Sequence, residues 1–125
     1  MAAIQYEEYK VKLNNIQPTI DLVGKALNLD AAAQEIEELE MASSRPEFWN
    51  DVENSQKVQK RLAQLKGKVE KFQKLQSSWE DMVTLCEIAV EENDDSLLPE
   101  LEEQYEAFEK ELESMRLGTL LTGEY

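Results

Sequence analysis

The stretch 51–92 holds no proline and one glycine, Gly67. Its apolar residues recur at Val58, Leu62, Leu65, Val69, Phe72, Trp79, Val83, Cys86 and Val90, in steps that alternate four and three and miss only at Gln76. That is the heptad spacing of a helix that keeps one face against partner helices. At about 1.5 Å per residue, the 42 residues span roughly 63 Å. A helix of that length cannot bury its seam alone, so the rest of the chain reads as whatever covers it.

Residues 5–28 repeat the pattern with Tyr6, Tyr9, Leu13, Ile16, Ile20, Val23 and Leu27, although Pro18 falls inside it and predicts a kink or break near 14–17. Asn28 or Asp30 can cap a second, acid-rich helix over 31–42. Pro46 opens a short turn over 46–49, where Phe48 and Trp49 are bulky enough to plug a helix joint. Asn50, with Glu53 three residues on, reads as the capping box of the long helix. A polar turn at 91–95 leads to a last helix over 96–117, with Pro99 in its first turn. Leu98, Leu101, Tyr105, Phe108, Leu112 and Met115 give that helix a second unbroken seam, and Gly118 is its expected C-terminal cap.

Two seams joined by a short turn predict an antiparallel hairpin, with Cys86 opposite Leu101, Trp79 opposite Phe108 and Phe72 opposite Met115. Met82, Val83, Leu85, Cys86, Ile88, Ala89 and Val90 nearly encircle the long helix, so that end is buried on more than one side. The expected fold is all-α: an elongated antiparallel helical bundle built on one long central helix. Residues 1–118 are expected to form the helical domain, and 119–125 read as a short extended linker.

Composition narrows the function. The net charge of −14 disfavours nucleic-acid binding through the overall field. Yet 55–75 carries seven basic residues (Lys57, Lys60, Arg61, Lys66, Lys68, Lys71, Lys74) against Glu70 alone. This basic island has two readings. Its flanking cations Arg61, Lys66 and Lys68 can pair with the acidic second helix, or the outward lysines can form a phosphate-contacting stripe. The single cysteine, Cys86, fits a reducing cytoplasm, and the start of the chain shows no signal-peptide pattern. Cys86 sits on the seam beside Glu87, a setting for a buried small hydrophobe rather than a nucleophile. Glu102 with Glu106, and Glu35 with Glu38, lie at helical spacing, but no histidine or metal loop completes a site. No catalytic, cofactor-binding or metal-ligating residue is expected. Trp79 has core spacing; Trp49 can plug the joint or face a partner, and the plug is the simpler reading.

Pro46-Glu47-Phe48-Trp49-Asn50-Asp51, followed by a Lys/Gln-rich heptad helix, resembles the N-terminal domain of the bacterial peptide chain release factor two family. Leu29-Asp30 matches the start of that family's second helix, and 116–125, ending Thr122-Gly123-Glu124-Tyr125, resembles the hand-over to its next domain. The family more often has Ser for Thr122, Pro-Glu-Arg-Ala for 52–55, and charge within 31–33. The resemblance implies a translation termination factor that acts at UGA and UAA stop codons, with codon reading by a Ser-Pro-Phe motif and peptide release by a Gly-Gly-Gln motif in later domains. Neither motif occurs in these residues. What it implies for this chain is a non-catalytic domain that docks on the ribosome, toward the protein and rRNA at the stalk base of the large subunit. The candidate contacts are Lys57, Lys60, Arg61, Lys68, Lys71 and Lys74, with Phe48 and Trp49 at the joint. The alternative is a self-associating coiled-coil or adaptor protein, and a homodimer of the isolated domain is compatible with long seams.

Overall fold

A computed structural model describes residues 2–122, with side chains as far as Thr119. Four α-helices follow in order: α1 (Ala3–Leu27), α2 (Leu29–Ser43), α3 (Val52–Glu91) and α4 (Leu98–Thr122), with 3-10 turns at Pro46–Asn50 and Asp95–Leu97. The all-α bundle on one long central helix is as the heptads predict, and the described residues include no strand.

α1, α3 and α4 enclose the main core, built from Tyr6, Leu13, Ile20, Leu27, Phe72, Met82, Cys86, Leu101, Phe108 and Met115 among others. α1 runs antiparallel to α3. The Tyr6 hydroxyl donates to the Asp94 carbonyl at 2.7 Å, the Trp79 indole N–H donates to the Leu13 carbonyl, and Gly24 faces the Phe72 ring. Tyr9 meets Tyr105 edge-on at 5.2 Å, which ties α1 to α4, and the Lys12 ammonium lies 5.0 Å from the Tyr9 ring centre. α2 covers the first half of α3, where Ala32, Phe48 and Leu65 are buried outside the main cluster.

The buried face of α3 is rotated from the expected seam. Leu65, Phe72 and Cys86 are buried as predicted, but the alternate positions are Lys68, Leu75, Met82 and Ala89. Leu62, Val69, Val83 and Val90 are only half-buried, and Gln76 is exposed. Leu75 therefore fills the step that Gln76 seemed to break. The α4 seam holds from its second member on: Leu98 is half-buried, and Leu101, Tyr105, Phe108, Leu112 and Met115 are all buried.

The helix ends follow local chemistry, with four departures from the sequence reading. α1 is not broken at Pro18. Pro18 and Asn14 both lie on the exposed side, where water can satisfy the Asn14 carbonyl that proline leaves without a donor. Asn28 links α1 to α2 through a left-handed backbone (φ 54°) with no side-chain cap, a conformation asparagine tolerates. Asp51, not Asn50, caps α3: its carboxylate accepts the Asn54 N–H at 3.1 Å. Asn50 is the last residue of the 3-10 turn, whereas Asp51 has the extended backbone an N-cap requires. α4 continues through Gly118 to Thr122, so the helix does not stop where an extended linker was expected; 123–125 lie outside the described residues.

α3 itself stops in a Schellman arrangement. Asn93 (φ 53°) donates to the Val90 carbonyl and Asp94 to the Ala89 carbonyl. The Asp94 carboxylate then accepts the Ser96 N–H, while Asp95 accepts the Ala2 N–H at 2.9 Å, so the turn between α3 and α4 is pinned to the start of α1.

Candidate functional site

The basic island splits into two groups. Arg61 turns toward α2, and its Nε and one terminal nitrogen donate to the two Glu35 carboxylate oxygens at 2.8 and 3.0 Å. This charge-assisted pair holds the Glu35 carboxyl below the usual glutamate range, with the nearby Lys68 adding to the effect. Lys66 reaches Glu40 at 3.4 Å. Lys68 is only 8% exposed. It lines a small cleft of about 250 Å³ with Leu27, Ala32, Glu35, Arg61 and Leu65. Arg61 and Lys68 therefore hold α2 against α3, which removes them from the outward stripe. Pairing of the flanking cations with the acidic second helix is what the structure shows for Arg61 and Lys66.

The remaining lysines do share a face. At about 100° per residue, positions 57, 60, 71 and 74 fall within roughly a 100° arc. All four are exposed. Lys71 and Lys74 stand at the rim of a groove of about 500 Å³ between α3 and α4, floored by Leu75 and Phe108. Lys57 lies within 3.7 Å of Glu53, with both side chains more than three-quarters exposed, a pair worth little in water. This row of cations can meet phosphates without first breaking the α2–α3 contacts.

The helix joint also divides. Phe48 is buried, as a plug should be, but Trp49 is 52% exposed, against the simpler expectation that it fills the joint. The two rings meet edge-on, 5.0 Å between centres, so Phe48 braces Trp49 rather than sharing its burial. Val52, three residues on, and Met41, in the last turn of α2, are also exposed. The signal for Val52 was present: it falls off every seam yet is apolar.

Nothing among the described residues forms a metal-binding cluster of His, Cys, Asp and Glu side chains. Cys86 is fully buried, and burial pushes its thiol above the ordinary value, so it packs as a small hydrophobe. No described helix is long and apolar enough to cross a membrane.

The described residues form an all-α bundle built on one long helix, with charged and aromatic side chains on its surface. The chain belongs to the PCRF domain family, whose model matches residues 32–125. Among curated proteins it is 34% identical over 113 residues to a peptide chain release factor 2 of Saccharopolyspora erythraea, an alignment covering 90% of this chain and 31% of that protein. It is 33% identical to proteins of the same name from Petrotoga mobilis, over 98% of this chain and 32% of that protein, and from Streptomyces avermitilis, over 100% and 33%. The chain thus spans about a third of the length of these relatives.

Proposed function

We propose that this chain is the ribosome-docking domain of a cytoplasmic translation termination factor that directs peptide release at UGA and UAA codons, and that it performs no catalysis itself. The observation that carries the reading is the PCRF match together with similarity, over the whole of this chain, to about a third of a protein named peptide chain release factor 2. The geometry supports a positional role. The long α3 packs against α1, α2 and α4, and its exposed row Lys57, Lys60, Lys71 and Lys74 is suited to rRNA phosphates. Codon reading and ester hydrolysis belong, on this reading, to other domains of the factor, for which residues 119–125 are the connection.

Competition tests it. An excess of the chain displaces an intact release factor 2 from ribosomes halted at UGA and slows peptide release, while releasing no peptide alone. Release by the chain alone would overturn the non-catalytic role, and no competition at saturating chain would overturn docking.

A further inference from the structure

α1 carries a second apolar stripe on the side that turns away from the core. Its inward face is Tyr6, Leu13, Ile20, Val23 and Leu27, all buried. Ile4, Val11 and Pro18 stand seven residues apart, with Leu22 four further on. At about 100° per residue these four fall within roughly a 40° arc, opposite the buried side chains. Ile4 is 72% exposed, Val11 57% and Leu22 65%, and Pro18 is exposed with them. Ile4 and Val11 border one shallow depression of about 350 Å³ with Ala3, Glu7 and Glu8. Single exposed apolar residues need no partner, but a row of them at heptad spacing is the face a helix offers to another helix.

The charges beside the stripe select the partner. Along one edge, in chain order, stand Glu7, Lys10, Asp21 and Lys25, an alternation of acid and base that has the opposite sign when read backwards. Glu7, Asp21 and Lys25 are exposed and Lys10 is half-buried. Two antiparallel copies of α1 related by a two-fold axis bring like edges together. A crossing level with residue 16 then sets Glu7 against the partner's Lys25, Lys10 against the partner's Asp21, and Val11 against the partner's Leu22. The symmetry makes each contact twice. A parallel pair would instead bring Glu7 up to the partner's Glu8, a repulsion. From this we propose that the outer face of α1 binds a second copy of this chain, antiparallel, through Val11, Pro18 and Leu22. A two-helix contact from Ile4 to Leu22 runs for roughly 27 Å. That is smaller than a standard protein interface, so the pair forms and separates with concentration. The face is separate from the lysine row and the helix joint, and the proposal does not rest on the ribosome-docking reading.

Sedimentation equilibrium of the chain as it stands, at concentrations up to about 1 mM, tests it. The wild type is expected to pass from monomer to dimer. Val11→Asp combined with Leu22→Asp is expected to stay monomeric, with wild-type helix content by circular dichroism because both side chains are exposed. Glu7→Lys and Lys25→Glu should each weaken the dimer about tenfold. The two together should restore it, since the exchange returns opposite charges to each pair. A wild type that remains monomeric throughout would overturn the proposal, as would a dimer that the two aspartates leave intact. Single reversals without effect, or a loss that the exchange does not repair, would overturn the antiparallel pairing on which it stands.

Discussion

The indole N–H of Trp79 donates to the main-chain carbonyl of Leu13 at 2.7 Å, joining the middle of α1 to the middle of α3 across a half-buried contact. The carbonyl belongs to the turn that precedes Pro18, so the bond fastens α1 close to the one place where its own ladder lacks a donor. Trp79→Phe keeps most of the packing and removes the bond. It is expected to cost about 1 kcal/mol in urea unfolding with an unchanged m-value. No measurable loss would mean that water satisfies the carbonyl equally well.

Gly24 and Gly67 are both helical, and alanine should act on them with opposite sign. A Cβ on Gly67 meets nothing within 4 Å, so Gly67→Ala gains helix propensity and should stabilise by about 0.5–1 kcal/mol. A Cβ on Gly24 would lie 2.8 Å from the Phe72 ring, which is itself buried in the core. Overpacking there costs about 1–3 kcal/mol, more than the propensity gain of about 1. Thermal melts of the two variants on either side of the wild type would check the α1–α3 approach.

The Glu35–Arg61 pair predicts a pH dependence. Arg61 depresses the Glu35 carboxyl in the folded chain, so the pair's contribution is complete above the ordinary glutamate value of 4.5 and is lost as pH falls through the lower folded value. The difference in melting temperature between wild type and Glu35→Gln should be constant near neutrality and should shrink below the ordinary glutamate value. The same variant should loosen α2, read as faster amide exchange in 29–43 than in α4. A difference that grows on acidification would contradict the pairing.

The lysine row predicts a salt signature. Lys57, Lys60, Lys71 and Lys74 changed together to Glu should weaken binding of the chain to large subunits. The log–log salt slope should become shallower by about 0.7–0.9 for each phosphate that is no longer neutralised. The melting temperature should stay close to that of the wild type, because all four side chains are exposed. Unchanged affinity and slope would take the row out of the interface.

Much of this molecule is written in residue spacing. Apolar steps of three and four fix the helices and their order, because a helix must lay one stripe of side chains against a neighbour. The α4 seam is legible to the residue from Leu101 to Met115, since those five members have no large apolar residue beside them. The α3 seam is not, because Leu75, Met82 and Ala89 compete with Gln76, Val83 and Val90 one residue away. Only the packing of both α1 and α4 against α3 selects between them. The Pro-Glu-Phe-Trp-Asn-Asp motif announces the joint but not which ring enters it. Phe48 and Trp49 are adjacent and their rings touch edge-on, yet only Phe48 is buried at the joint of α2 and α3 while Trp49 stays half exposed. The seven cations of the basic island look alike in the chain. Their separation into Arg61, Lys66 and Lys68, turned toward α2, and the outward row of Lys57, Lys60, Lys71 and Lys74 depends on where α2 lies. Sequence by itself determined the helices, the long strut and the concentration of positive charge, which are local consequences of periodicity and composition. Tertiary structure alone decided which face of α3 is core, and which cations and which aromatic ring face outward, because those depend on contacts between residues distant in the chain.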